Sequence, residues 1–231
     1  MSRASSERRV KRIRNSVIAL ILLIVVVVIG YGLFFTTASD MGGDLVEGTH
    51  YFVIDGAAPI PASGPIRVTE LFSYACVHCR NFDPIVTEWL THEPDGVEFD
   101  RIPVSFSPAW ALLAQAYFAL QSVGALQENH ERIFTAIHDN ARQFDSPEAI
   151  ADFVDGHGVS REAFLRAFNS PAVRRQLADA AARERASHIS GVPALMVGDY
   201  YMIDMRSVPR KRAFDVVDFL VAKIKNERTA S

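Results

Sequence analysis

Cysteine is scarce. The 231-residue chain has two, Cys76 and Cys79. That is too few for a disulfide-stapled scaffold, so the fold must rest on apolar packing, and a hydrophobic content of 49% can supply it. Internal repeats and low-complexity segments are absent. Basic charge is also short over most of the chain. The totals are 24 Lys and Arg against 27 Asp and Glu, a formal net charge of -3. Six basic residues (Arg3, Arg8, Arg9, Lys11, Arg12, Arg14) and one acid, Glu7, fall within residues 1–16. Setting them aside leaves 18 basic and 26 acidic residues, a balance of -8 for the rest. An acidic body of this kind argues against a nucleic-acid partner.

Long hydrophobic runs are absent apart from one. Residues 17–35, VIALILLIVVVVIGYGLFF, are 19 in number and carry no charge. As a helix the run would span about 28 Å, close to the hydrocarbon thickness of a bilayer. Its basic flank predicts a cytoplasmic tail at 1–16 and an exported body. The reading is a transmembrane anchor at 17–35. A cleaved signal peptide is the alternative, with Thr36-Thr37-Ala38 as a small-residue site, although the run exceeds the usual apolar length of about 7–15 residues. Residues 36–48 then read as a tether and 49–231 as the folded domain. In a bacterium the body would lie in the periplasm, where cysteines oxidise.

Along the body, residues 51–54 and 66–72 read as strands, the second with an acid, Glu70, inside it. Residues 76–90 read as a helix that Asp83-Pro84 should kink or reset. Residues 97–106 return to strand character. From 108 to about 188 helical spacing dominates, with Trp110, Leu113, Tyr117 and Leu120 on a core face and helix starts at Ser146-Pro147-Glu148 and Ser160-Arg161-Glu162. Residues 194–197 and 200–203 are strands joined by a Gly-X hairpin, Gly198-Asp199. A last amphipathic helix carries Phe214, Val217, Leu220, Val221 and Ile224 on one face. The basic cluster Pro209-Arg210-Lys211-Arg212 reads as a solvated loop. The order is β-β-α-β, a helical block, then β-β-α: an α/β fold with a small mixed sheet and a helical insertion.

Both cysteines lie in SYACVHCR, residues 73–80, where a strand ends and a helix begins. Haem attachment requires a histidine directly after the second cysteine, and that residue is Arg80. Structural zinc wants four ligands, and there is no second cysteine pair, which leaves only half a site shared between two copies. A purely structural disulfide here would close a tiny loop and constrain the unfolded chain little. A reactive dithiol is the remaining reading. Helix-start N–H groups and the helix dipole stabilise a thiolate on Cys76. His78 can add a positive or donating group. Cys79, one turn further in, would be the buried resolving partner. A stabilised thiolate makes the reduced form favourable and the disulfide a strong oxidant.

The run Glu70-Leu71-Phe72-Ser73-Tyr74-Ala75-Cys76-Val77-His78-Cys79 resembles the active-site strand and helix of the DsbA family of thiol:disulfide oxidoreductases. A second match, Gly191-Val192-Pro193-Ala194-Leu195-Met196-Val197-Gly198, is similar to that family's cis-proline loop. Weaker matches are Ala114-Gln115-Ala116-Tyr117 and Ala167-Phe168-Asn169-Ser170. The likeness covers roughly 50–225. It implies a thioredoxin-like fold with a helical domain inserted at about 108–188, between the strand after the C-x-x-C helix and the cis-proline loop. It implies that Pro193 is cis and that the backbone of Val192 pairs with an extended substrate. It also implies that Glu70 is a buried acid relaying protons, with Asp83 and Arg101 as charged neighbours; a plain ion pair of Glu70 with Arg101 is the alternative.

The implied activity is oxidation of reduced exported proteins by a monomer, with reoxidation by a DsbB-type membrane partner. No metal is implied, and no cofactor beyond the Cys76/Cys79 pair. The uncharged run and its basic flank, rather than the resemblance, give the expected location: the inner membrane, single-pass, with the amino terminus cytoplasmic and the catalytic domain periplasmic. Two alternatives stay open. One is a reductase or isomerase, although the stretch before Tyr51 is too short for a dimerisation domain. The other is a redox-inert binding or chaperone module. The sequence departs from many family members at Val77, where they have proline, and a retained amino-terminal anchor would depart from members that are soluble after signal cleavage.

Overall fold

The computed structural model describes residues 45–230 and, nearer the amino terminus, residues 13, 15, 17, 18, 20 and 22–25. The chain divides into two units, residues 1–44 and 45–231. In the first, the described residues are helical. Most of the run at 17–35, and the whole of 36–44, lies outside the described residues. Among the described residues no helix is long and apolar enough to cross a membrane.

The second unit begins at Leu45, earlier than the boundary expected at 49, because the chain is already fastened there. The backbone N–H of Val46 donates to His50 Nδ1 at 2.9 Å, and Glu47 bridges to Tyr51. Five strands follow in the sheet: β1 (Tyr51–Val53), β2 (Ile66–Phe72), β3 (Val97–Pro103), β4 (Ala194–Val197) and β5 (Tyr201–Ile203). Their order is β1-β5-β4-β2-β3, with β2 and β3 parallel and the other pairs antiparallel. β2 is flanked on both sides by other strands, and every residue in it except Arg67 is buried. A strand covered on both faces carries apolar side chains on both, as Val68 and Leu71 do here on opposite faces of β2.

Seven helices accompany the sheet among the described residues of this unit: α1 (Val77–Leu90), α2 (Pro108–Ser122), α3 (Leu126–His138), α4 (Pro147–Val154), α5 (Arg161–Phe168), α6 (Pro171–Ala186) and α7 (Ala213–Ala230). The insertion expected at 108–188 is the block α2 to α6. Ser107, Ser146 and Ser170 each accept an N–H three residues on, and a proline follows each one. Proline suits that position because its missing N–H would be unpaired anyway. Ser160 caps α5 in the same way.

Two readings are corrected and a third is refined. α1 runs through Pro84 as one helix, so Asp83-Pro84 does not reset it; its tertiary packing outweighs the backbone bond that proline removes. Phe82 and Trp89 from α1 stack on Phe214 from α7, with ring centroids 5.8 and 4.7 Å apart, and Trp89 Nε1 donates to Asp218 at 3.0 Å. The β4–β5 turn is of type I′ rather than Gly-X. Gly198 and Asp199 both have positive φ, 68° and 53°. Asp199 tolerates this because its carboxylate is held by Arg67 at 3.0 Å and Arg183 at 2.9 Å. Trp110 packs against the core from its edge, half-buried and stacked on exposed Phe106. By contrast Leu113, Tyr117 and Leu120 are core, each buried apolar side chain contributing about 1.5–3 kcal/mol.

Candidate active site

β2 delivers the chain to the site, and α1 opens it. Cys76 is the residue before α1, with an extended backbone. Its carbonyl accepts the N–H groups of Cys79 and Arg80 at 3.1 and 3.0 Å. No side chain caps this helix and its first turn holds no acid. Nothing therefore competes with the Cys76 sulfur for the free N–H groups at the helix mouth. The structure holds both cysteines as free thiols, Cys76 partly exposed and Cys79 fully buried.

The two sulfurs differ sharply. Cys76 is lowered from 9.0 to about 6. The largest cause is a hydrogen bond from the Cys79 thiol, opposed by partial burial. The backbone N–H groups of Cys79 and His78 add to the lowering. The helix mouth and His78 were the causes expected; the neighbouring thiol outweighs both. Burial, then the hydrogen bond and charge of Cys76, drive Cys79 far upward.

The Val192-Pro193 peptide bond is cis, as the resemblance implied. Its loop lies against Cys76, whose Sγ is 3.4 Å from the carbonyl oxygen of Val192. Beside it runs an open groove of about 460 Å³, lined by residues that include Val192, Pro193 and Arg210.

Beneath the cysteines lies a chain of polar groups. β3 pairs with β2 in a register that sets Arg101 opposite Glu70. Arg101 Nε donates to Glu70 at 2.8 Å, and its Nη2 donates to Asp83 at 2.8 Å. The ion pair of the alternative reading is therefore present, and Glu70 titrates unusually all the same. Its side chain is 2% exposed. Burial raises it from 4.5 to about 7, against the opposing charge and hydrogen bond of Arg101. Burial also pushes Asp83 up, but the hydrogen bond from His130 and the charge of Arg101 outweigh it and leave Asp83 below the ordinary carboxylate range.

His130 and Tyr74 complete the chain, and neither was assigned a role from the sequence. Burial holds His130 below 6.5, so the neutral ring donates from Nε2 to Asp83 at 3.1 Å. Its Nδ1 then accepts the Tyr74 hydroxyl at 2.8 Å. One face of α3 supplies this cover. His130, Phe134 and His138 recur at four-residue spacing, Phe134 packs on Tyr74 at 5.0 Å, and His138 Nε2 lies 2.8 Å from the Tyr74 carbonyl. That spacing was visible in the sequence, but nothing there tied α3 to the cysteine loop.

Arg210 is exposed, as expected of a solvated basic cluster, but it also has a partner at the site. It sits at the start of a short 3-10 turn, Arg210–Arg212, and its Nη2 lies 3.2 Å from His78 Nδ1. Arginine has only donors, so His78 accepts. No sequence signal links the two, since 132 residues separate them.

A partly exposed sulfur with a stabilised thiolate, one turn from a buried thiol and against a cis-proline loop, can exchange disulfides. Comparison with known proteins agrees. Residues 67–214 match the DSBA-like thioredoxin domain. The chain is 35% identical over 188 residues to the thiol:disulfide interchange protein DsbA of Azotobacter vinelandii, covering 81% of this chain and 86% of that one. It is 33% identical over 189 residues to the protein of that name from Pseudomonas aeruginosa, covering 81% and 88%. The crystal structure of Pseudomonas aeruginosa DsbA superposes with a TM-score of 0.73 at 34% identity, covering 81% of this chain and 96% of the other. Xylella fastidiosa DsbA gives 0.72 at 29%, covering 80% and 98%. With this fold and this dithiol, the chain belongs to the DsbA family of thioredoxin-fold thiol:disulfide oxidoreductases.

Proposed function

We propose that the oxidised Cys76–Cys79 pair takes two electrons from reduced, exported client proteins in the periplasm. A client thiolate attacks Cys76 Sγ. The Cys76–Cys79 bond breaks, a client–Cys76 disulfide forms, and Cys79 leaves as a thiolate. A second client thiolate then attacks the client sulfur of that mixed disulfide and releases Cys76 as a thiolate. The client ends with one disulfide, and the protein with two reduced sulfurs. The observation that carries the reading is the contrast between the sulfurs: charge rests easily on Cys76 and poorly on Cys79.

Each remaining site residue has a part in this scheme. The backbone of Val192, before cis-Pro193, holds the extended client beside Cys76. The leaving Cys79 sulfur needs a proton at once. Glu70, raised to about 7, is half-protonated near neutrality and supplies it, so it acts as a relay as well as an ion-pair partner. His78 tunes Cys76. A DsbB-type membrane partner linked to quinone removes the two electrons and closes the disulfide again, so the protein carries no cofactor of its own and works as a monomer.

The test is direct. Oxidised protein mixed with a reduced, unfolded two-cysteine client should convert client thiols to a disulfide one for one. Net reduction of insulin disulfides under the same conditions, with no client oxidation, would instead indicate a reductase.

The amino-terminal run anchors this domain to the inner membrane, basic side in the cytoplasm. The support is the uncharged stretch at 17–35 and the exposure of Val17, Ile18, Leu20, Leu22, Leu23, Ile24 and Val25, which bilayer lipid would relieve. Intact mass of membrane-extracted protein should correspond to the full chain. Loss of the first 38 residues would mean a cleaved signal.

A further inference from the structure

Arg210 joins two parts of the site. Its Nη2 donates to His78 at 3.2 Å, and its side chain also lines the groove beside Val192 and cis-Pro193. It is held on a stiff base. Pro209 precedes it, Arg212 N–H bonds back to the Pro209 carbonyl at 2.7 Å, and neighbouring Val208 is buried at 2% exposure.

The charge of the groove can be counted. Among the Asp, Glu, Lys and Arg side chains that line it are Asp204, Arg206 and Arg210. Asp204 and Arg206 cancel each other. Arg206 reaches Asp204 through Nε at 3.0 Å and Nη2 at 3.3 Å, and its backbone N–H adds a third bond at 3.0 Å. Among the described residues, Arg210 has no carboxylate partner. Its one hydrogen-bond partner is an imidazole nitrogen, which a carboxylate would displace through a stronger, charge-assisted pair. The groove therefore has one uncompensated positive charge on its wall, at the His78 contact, in a body that is acidic overall.

We propose that Arg210 is a specificity-determining residue that selects clients carrying Asp or Glu close to the cysteine being oxidised. This rests on the client-oxidation reading above. An extended client beside Val192 passes along the groove, and an acidic side chain near its cysteine meets the Arg210 guanidinium. A lysine in that place is repelled, and this disfavours basic clients as firmly as the attraction favours acidic ones.

The experiment uses the full oxidised protein and synthetic two-cysteine peptides in which both neighbours of each cysteine are Glu, Gln or Lys. The readout is the ratio of kcat/KM between peptides within a single protein variant, which partial misfolding does not change. Wild type should favour Glu over Gln by about threefold to fivefold at low salt, the reach of a solvent-exposed ion pair, and the ratio should shrink at high salt. Arg210→Gln should bring the ratio to one, and Arg210→Glu should reverse it. The double variant Asp204→Asn, Arg206→Gln should keep it, because it removes a neutral pair. Equal rates for Glu and Gln peptides in wild type, or a ratio that survives in Arg210→Gln, would overturn the inference while leaving client oxidation intact. Failure to oxidise any peptide would overturn both.

Discussion

Cys76→Ser is expected to abolish client oxidation outright, with a loss of at least about 10⁴-fold against wild type. The size follows from the electron count. Without the first sulfur there is no internal disulfide, and so no place for the client's two electrons. Cys79→Ser removes the same disulfide but leaves a different chemistry. Its Cys76 remains partly exposed and charge-stabilised, so it captures an activated disulfide, and no buried thiol remains to expel the adduct. Intact mass should show a persistent mixed disulfide in Cys79→Ser and none in Cys76→Ser. In the reduced wild type, alkylation should mark Cys76 and spare Cys79, whose exposure is 0%. Equal labelling of the two cysteines would mean that the assigned division of roles is wrong.

The titration of Cys76 is the second large effect. Thiolate absorbance in the reduced protein should rise with a midpoint near 6, against 9.0 for an unperturbed thiol. The consequence for stability has a definite sign. The folded value lies below the unfolded one, so the stabilisation is complete above pH 9.0 and is lost as pH falls through about 6. It amounts to about 3 kcal/mol once solvent screening at a partly exposed sulfur is allowed for. A stabilisation confined to the reduced form makes the disulfide more oxidising, by about 60 mV on that figure above pH 9.0, where it is complete, and by less near neutrality.

Glu70 works in the opposite direction. Its folded value is raised, so its contribution is complete below pH 4.5 and is lost as pH rises through about 7. The loss is about 3 kcal/mol. His130, held below 6.5 by burial, adds an opposing rise that ends near that pH. Glu70 is therefore isolated by comparing wild type with Glu70→Gln in chemical denaturation across pH 4–9. The difference between the two should change by about 3 kcal/mol between pH 4.5 and 7 and stay level above it. A difference that is flat throughout would remove Glu70 from the list of proton carriers.

The contrast between Glu70 and His130 shows what kind of information each level holds. Glu70 stands inside an apolar strand run, and a carboxyl in the middle of such a run must be buried along with its neighbours. The same local logic holds for Cys76 and Cys79, whose spacing at a strand–helix junction specifies both the helix mouth and the one-turn separation. The serine–proline pairs mark helix starts for equally local reasons. His130 sits on an ordinary amphipathic helix, 56 residues from the tyrosine it holds. Its meaning depends on which loop that helix covers.

By itself, then, the amino-acid sequence determined the order of the elements, the reactive pair, the buried acid and the proline beside them. The first three follow from backbone geometry and burial acting over a few neighbouring residues; the proline was legible through the resemblance to the DsbA family. Only the tertiary structure decided that α1 continues through Pro84, that α3 closes the chain from Tyr74 to Glu70, and that Arg210 reaches His78 across 132 residues. Such pairings depend on packing between elements distant in sequence, where one guanidinium can face solvent or a reactive site with no change in its local pattern.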